Sequence, residues 1–297
     1  MGPQWDDLRI FLAVAREESL SAAGRVLKLD PATVGRRIAR LEAALEVPLF
    51  VKSPQGYTLS AAGERLLSHG EAAEQAMRAG IDALAGPSGR LSGSFRIGAP
   101  DGCANYLLPQ VCTRIAEANP GLDIQILALP RVVNLSRREA DMAITVSPPT
   151  AGQLLVQKIT DYHLHLAGAR DFLAANPVAT VADLKHLRMI GYIPDMIFDA
   201  ELDYLTGLGI ERIPLASNSV PVQLQLAEQG TGLCVAHDFA LPSHASLRKV
   251  LPAEVAFRRA FYLVRHQGDQ RSERLNRLAA LLSEGLREEV ARLESLT

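Results

Sequence analysis

The sequence predicts an α/β protein preceded by an all-α N-terminal module, on three observations. Apolar residues recur at helical spacing almost throughout the chain up to about residue 84. The stretch Gly86-Pro87-Ser88-Gly89-Arg90-Leu91-Ser92-Gly93 follows, and its three glycines, proline and two serines oppose both helix and central strand. Beyond it, short β-like runs alternate with helical ones, the pattern of an α/β domain with a mainly parallel sheet.

Composition narrows the function classes. A length of 297 residues suggests about two domains. Lys and Arg number 31 against 33 Asp and Glu, a formal net charge of −2, which excludes a polycation held to nucleic acid by bulk charge. Any nucleic-acid contact must therefore come from a local basic face. An apolar content of 48% excludes wholesale disorder. Three cysteines are too few and too odd for a disulfide framework, so a reducing compartment is expected. Met1-Gly2-Pro3-Gln4-Trp5 runs straight into Asp6-Asp7, unlike a secretory signal. No window reaches the roughly 20 apolar residues of a membrane span, so a cytoplasmic, soluble protein is expected.

The first helix carries Trp5, Leu8, Phe11, Leu12 and Ala15 on one stripe. Ser19-Leu20-Ser21 interrupts it, and Ser21 suits the N-cap of a second helix from Ala22 to about Lys28. Asp30-Pro31, a capping acid before a proline at the first helical position, starts a third helix that runs to about Leu45. Its core stripe is Val34, Ile38, Leu41 and Leu45, which lie within about 60° of one another, while Arg36 points almost directly away. Thr33 and Arg40 flank Arg36 on the outer face, and Arg37 sits nearer the core edge. Between Pro31 and Leu41 there are three arginines and no acid. Pro48 to Lys52, the turn-like Ser53-Pro54-Gln55-Gly56, and Tyr57 to Ser60 then read as a β-hairpin.

Three short helices and a hairpin make a winged helix-turn-helix, which places its second motif helix in the DNA major groove. The plainer alternative is a small helical bundle whose arginines are merely solvated. From Ala61 to about Leu84 one long helix follows, with Ser60 as N-cap and Leu66, Ala73, Met77, Ile81 and Leu84 on one side. It either packs on its own domain or pairs two modules as a dimer.

After the linker, strands are expected at Ser94–Gly98, Ile124–Leu129 and Met142–Val146, with helices at Tyr106–Ala118 and around Leu135. A second unit starts near Tyr162 with strand Tyr162–Gly168. It continues with a helix capped by Thr180, strand Met189–Ile193, a helix after Ser219-Val220-Pro221, and strand Leu233–Ala236. Strand Phe261–Val264 carries the chain back. A last helix, about Arg271 to Leu293, lines up Leu275, Leu278, Leu282, Leu286, Val290 and Leu293.

Several runs together resemble the LysR-type transcriptional regulators. They are Phe11 to Ala15, Ser19-Leu20-Ser21-Ala22-Ala23, Leu27, Ala32 to Glu42, Leu45, Leu49-Phe50-Val51-Lys52 and Leu59-Ser60-Ala61-Ala62-Gly63. More diffusely, the likeness extends to the C-terminus. The chain departs from the family pattern at Ala23-Gly24 (usually paired alanines) and at Asp30-Pro31 (usually serine and glutamine). It departs again at Gly35, where a serine often meets DNA, and at Lys52 and Gln55, where arginines are common.

The resemblance implies a bacterial regulator that binds operator DNA, is controlled by a small-molecule effector, and performs no catalysis. It implies a winged module at 1–60, a dimerisation helix at 61–85, a hinge at 86–93 and a two-lobed effector domain of periplasmic-binding-protein type at 94–297. Lobe I would take about 94–161 and 265–297, and lobe II about 162–264. It also implies a homodimer or a tetramer built from dimers.

The expected DNA-contact set is Ser21, Ala32, Thr33, Arg36, Arg37, Arg40, Lys52 and Gln55. By side-chain type, Arg36 and Arg40 suit guanine edges or phosphates, Thr33 a thymine methyl or phosphate, and Lys52 a phosphate. In open α/β sheets, ligands sit beyond the carboxyl ends of strands, where helix N-termini favour anions. That places Asp101, Cys103, Asn105, Arg131, Ser147, Asn218 and Ser219 at the effector site. The effector is expected to be a small carboxylate or an aromatic: Arg131 would suit a carboxylate, while Asp101 would repel an acid.

Other constellations are weaker. His163-Leu164-His165 has a spacing zinc can use, but no third ligand is evident in the sequence. His237-Asp238 mimics part of a catalytic triad without a Gly-x-Ser-x-Gly elbow. Cys112 and Cys234 fall on apolar stripes. Cys103 falls near a helix N-terminus, which can lower a thiol pKa, so both a redox role and simple pocket lining stay open. No phosphate loop or dinucleotide fingerprint occurs, and no metal or other cofactor is expected. Two other readings remain: a cytoplasmic solute-binding protein or enzyme on the same two-lobed fold, and a DNA-bound scaffold with an empty pocket.

Overall fold

The computed structural model describes residues 2–53, 56–84, 91–129, 140–149, 153–197, 199–210 and 212–297. The chain divides into two compact units, Met1–Pro87 with Gly268–Arg274, and Ser88–Gln267 with Leu275–Thr297.

The first unit contains α1 (Trp5–Glu17), α2 (Leu20–Leu27), α3 (Pro31–Leu45), β1 (Phe50–Ser53), β2 (Gly56–Leu59) and α4 (Ala61–Leu84). Phe11, Val14, Ala23, Val34, Ile38, Leu41 and Leu49 form its buried centre. The expected stripe on α1 holds except at its start, where Trp5 is 42% exposed. Ser19, not Ser21, caps α2: its hydroxyl accepts from the Ala22 N–H at 3.3 Å, two residues before the expected start. Ser19 is extended and precedes the first helical residue, the backbone geometry a cap requires. Asp30 caps α3 by accepting from the Ala32 N–H at 3.2 Å, and Ser60 caps α4 by accepting from the Gly63 N–H at 3.0 Å.

Glycine at position 24 has a steric reason. A Cβ there would lie 2.6 Å from the Leu29 carbonyl oxygen, closer than such atoms approach. The turn between α2 and α3 is therefore tighter than a pair of alanines would allow.

The second unit carries a nine-stranded sheet among its described residues. Its elements run β3 (Ser92–Pro100), α5 (Asp101–Tyr106), α6 (Leu108–Ala118), β4 (Gly121–Leu129), β5 (Met142–Thr145), β6 (Leu154–Ala169) and α7 (Arg170–Ala175). They continue as β7 (Met189–Gly191), β8 (Leu215–Ala216), α8 (Val220–Glu228), β9 (Leu233–His237), β10 (Leu247–Val250), β11 (Ala256–His266) and α9 (Glu273–Glu294). The strand order is β4-β3-β5-β11-β6-β9-β7-β8, with β10 also on β6. β3 pairs parallel with β4 and β5, and β7 parallel with β8 and β9, whereas β11 is antiparallel to both β5 and β6. Two parallel groups are thus joined by one long antiparallel pair.

Several expectations change here. β6 begins at Leu154 rather than Tyr162; its first half exposes Val156, Gln157 and Lys158 in a row and so shows no apolar alternation. The expected helix at Tyr106–Ala118 is two helices broken at Leu107. Pro109 in the first turn of α6 has no N–H to continue the preceding turn. Thr180 does cap a helix, but a short 3₁₀ one, Val181–His186, because only Leu184 in it is buried. The expected helix around Leu135 lies outside the described residues.

α9 buries Leu278, Leu282, Leu286, Val290 and Leu293, as its spacing predicts, and also Glu289, which is 1% exposed. Arg292 donates to Glu289 at 2.6 Å and Arg114 of α6 at 3.2 Å. Arg292 first, and then Arg114, hold this carboxyl below its ordinary pKa against the opposing effect of burial. A depressed carboxylate contributes stability that is complete above its unfolded pKa and is lost as pH falls through the folded value. Glu289→Gln should therefore lower unfolding free energy by about 1–3 kcal/mol at pH 7, the scale of charged hydrogen bonds. The deficit should begin to shrink as pH falls below about 4.3, the ordinary glutamate value, and vanish only below the depressed native one. Urea denaturation from pH 7 downward checks this.

Candidate nucleic-acid interface and candidate effector cleft

In the first unit, α3 exposes Ala32 and Arg36, and Thr33 is half-buried, its hydroxyl accepting from the Arg36 guanidinium at 3.0 Å. Ser21 on α2 and Lys52 on β1 are also exposed, with the Lys52 ammonium 5.9 Å from the Tyr57 ring centre. Gln55 lies outside the described residues. The hairpin is anchored from two sides. Glu42 accepts from the N–H groups of Leu49 (2.8 Å) and Phe50 (3.2 Å), and the Tyr57 N–H donates to the Glu18 carbonyl at 2.9 Å.

Arg37 is half-buried and Arg40 exposed, as expected, but both are engaged by an acid that the helical wheel does not show. Arg40 Nε donates to Asp7 Oδ2 at 2.7 Å, and its terminal nitrogen reaches Asp7 Oδ1 at 2.5 Å and Gln4 at 3.0 Å. Arg37 donates to the same carboxylate at 3.3 Å. The Asp7 side chain is 2% exposed. Arg40 above all, then Arg37, keeps its carboxyl below the ordinary pKa. A buried anion needs these partners, so Arg40 fastens α3 to α1 rather than projecting freely. The helical wheel missed this because it sees one helix at a time. The available signal was Asp7 itself, an acid on the buried side of α1.

In the second unit, Asp101, Cys103 and Asn218 line one narrow cleft with about 20 Å³ of accessible space in this structure, together with Tyr192, His237 and Phe261. It lies where β3 and β9 end. The Asp101 carboxylate bridges it: Oδ2 accepts from the Val220 N–H at 2.9 Å, at the start of α8, and Oδ1 accepts from Asn105 Nδ2 at 2.8 Å. Asn105 therefore positions Asp101 and does not line the cleft. A second polar tie joins α5 to the segment after β9: the Tyr106 hydroxyl lies 2.8 Å from His244 Nε2, and His244 Nδ1 lies 2.9 Å from Glu228.

The remaining expected residues scatter. Ser147 lines a neighbouring groove with Lys158, Asp161 and Arg258, and its hydroxyl donates to Asp199. Ser219 precedes α8 without a capping side-chain bond and is not in the cleft wall. Arg131 lies outside the described residues.

Cys103 corrects the reactive-thiol reading. It is 1% exposed, and burial pushes its thiol well above the ordinary range, so α5 does not activate it. His163 and His165 do not converge: Nδ1 of the first is 2.8 Å from Glu294, and Nδ1 of the second 2.8 Å from Asp238. No cluster of three or more metal-ligating side chains occurs among the described residues.

Tyr192, His237 and Phe261 were missed as cleft residues. His237 is the last residue of β9, so the carboxyl-end rule applied to that strand would have found it. It is 6% exposed, packed against Tyr162 and Phe239, and burial lowers its pKa to about 4. The ring is neutral at pH 7, and its Nδ1 has no hydrogen-bond partner among the described residues.

Two family models match: a bacterial regulatory helix-turn-helix protein of the lysR family over residues 5–64, and a LysR substrate binding domain over residues 88–287. The HTH-type transcriptional regulator DmlR of Escherichia coli is 26% identical over 78% of this chain and 78% of its own. A probable hydrogen peroxide-inducible genes activator of Mycobacterium avium is 28% identical over 93% and 92%. Among solved structures, a full-length cysteine-to-aspartate variant of OxyR from Pseudomonas aeruginosa aligns with a TM-score of 0.72 at 17% identity, over 96% of this chain and 94% of that one. Full-length LysG from Corynebacterium glutamicum, with arginine bound as effector, aligns with a TM-score of 0.66 at 19% identity, over 96% and 98%. At such identities the structural likeness shows the fold alone. No helix among the described residues is long and apolar enough to cross a membrane.

The Asp7 cluster separates structural arginines from available ones. Asp7→Asn should lower stability by about 1–2 kcal/mol through loss of charged hydrogen bonds. Arg36→Ala, on the exposed face, should stay within about 0.5 kcal/mol of wild type. Thermal unfolding of both variants at pH 7 tests the assignment.

Proposed function

This chain belongs to the LysR family of bacterial transcriptional regulators, and from that premise we propose how its parts divide the work. The protein is a DNA-binding regulator with an effector-binding domain. In our reading, residues 1–60 bind operator DNA, 61–85 pair two chains, 86–93 act as hinge, and 94–297 bind the effector. Arg36 reads a base, and Lys52, with Ser21, Ala32, Thr33 and Gln55, holds the backbone. Arg37 and Arg40 serve first to set the angle of α3 on α1. Met77, 54% exposed on α4, supports a dimer seam on that helix. The protein works as a cytoplasmic homodimer or tetramer and catalyses no reaction.

One observation carries the effector assignment. The cleft is walled by α5 and its loop on one side and the start of α8 on the other, so a ligand in it touches both parallel groups of the sheet. A ligand that binds the closed arrangement more tightly than the open one shifts the balance between them, and only that difference can reach the DNA.

The test is recovery of fragments from sheared genomic DNA of the source organism at low and moderate salt. Repeating it with the low-molecular-weight fraction of a cell extract adds the effector arm. A few fragments sharing a dyad should persist as salt rises, and the extract should alter their retention. Retention of everything at low salt and nothing at moderate salt would reduce the interaction to charge alone. On a recovered site, Arg36→Ala should lose about 1–3 kcal/mol of discrimination at one base pair. Lys52→Ala should instead weaken all sequences alike and reduce the salt slope by about one. Identical behaviour of the two variants would remove the base-reading role from Arg36.

A further inference from the structure

A helix N-terminus beside a ligand cleft ordinarily favours a ligand anion, through unpaired N–H groups and the helix dipole. In this chain that place is taken. The Asp101 carboxylate accepts the Val220 N–H at 2.9 Å and so supplies the negative charge at the start of α8 from within the protein. An incoming carboxylate would find the donor used and a like charge beside it.

The rest of the described wall points the same way. Asp101 is the only acidic side chain in it, no lysine or arginine joins it there, and burial keeps Cys103 and Tyr192 protonated and His237 neutral. A carboxylate offers about four lone-pair sites. Val220 and Asn105 take one on each oxygen, leaving capacity for a further donor. His237 adds a ring nitrogen, Nδ1, that is buried without a partner on a side chain lining the cleft. Pro100, Val146, Leu202 and Phe261 supply apolar wall. The neighbouring groove does carry cations. Lys158 and Arg258 share the Asp161 carboxylate, and Arg259 lies 5.5 Å over the Tyr204 ring, so all three are engaged outside the cleft wall.

We propose that the cleft selects a small ligand bearing a protonated amine on an apolar body, with the ammonium against Asp101 and a donor hydrogen on His237 Nδ1, and that it rejects simple carboxylates. Of the carboxylate or aromatic expected from the sequence this sets the carboxylate aside, and it rests on the effector reading of the cleft given above. The built-in carboxylate has a second consequence. By bridging α5 to α8 it holds the cleft narrow without ligand.

The probes are benzylamine and benzoate, one ring with opposite charges, offered at equal millimolar concentration to the full-length protein and followed by thermal shift and calorimetry. Benzylamine should raise the melting temperature of wild type and benzoate should leave it unchanged. Asp101→Asn keeps an oxygen that can accept the Val220 N–H and removes the charge, so it should weaken benzylamine at least tenfold. The wild-type comparison needs no variant and decides the matter should Asp101→Asn fold poorly. Benzoate binding in place of benzylamine overturns the proposal and leaves the effector cleft standing, as does benzylamine binding equally to wild type and Asp101→Asn. If neither probe binds wild type, the amine class is overturned. If the extract also leaves DNA retention unaltered, the effector reading falls with it.

Discussion

The antiparallel ladder between β6 and β11 is the constraint on which the second unit depends. Among the described residues it is the ladder that joins the two parallel groups, with β5 on one side and β9 and β10 on the other. The ladder shifts register between Phe261 and Tyr262. There Tyr162, fully buried, stacks on Phe261 with ring centres 4.2 Å apart, and Phe239 and His237 close the cluster. An extra residue in one strand increases local twist and bends the pair, while the aromatic stack keeps the bend packed. The cleft residues His237 and Phe261 belong to this same cluster. The wall of the candidate site and the joint of the sheet are therefore made of the same side chains.

That economy explains why Asp101 matters. α5 follows β3 in one parallel group, and α8 precedes β9 in the other. A single short hydrogen bond from Val220 to Asp101 ties them, and the Tyr106–His244–Glu228 chain adds a second tie. Both are polar contacts at the edge of an otherwise apolar junction. In the proposed effector reading these are the contacts that a ligand's polar groups would replace.

Buried charge plays the matching role in the first unit. Asp7 sits on the inner side of α1 and cannot remain ionised there without cations. Arg37 and Arg40 meet that need from α3 and so fix the pitch of the helix that presents Arg36. In the second unit, Glu289 does the same between α9 and α6 through Arg114 and Arg292. In both places an acid on the core side of a helix is the partner that arginines on neighbouring turns or helices answer.

Most of this architecture was legible from local pattern. The caps at Asp30 and Ser60, the apolar stripes of α1, α3 and α9 and the hairpin each depend on residues within a few positions of one another, so the sequence alone determines them. Asp101, Cys103 and Asn218 could be assigned to one cleft because strand ends in an α/β sheet converge by topology. Tertiary structure alone decided which arginines on α3 are free, since Asp7 lies thirty residues from Arg37 in the chain. It alone brought Tyr192, His237 and Phe261 to the cleft, and it alone turned Asp101 from a repulsive loop acid into the cap of α8, 119 residues away. The physical reason is common to all of these. Helix and turn signals are short-range, whereas the partner of a buried charge is chosen by packing, and packing is settled only when distant segments meet.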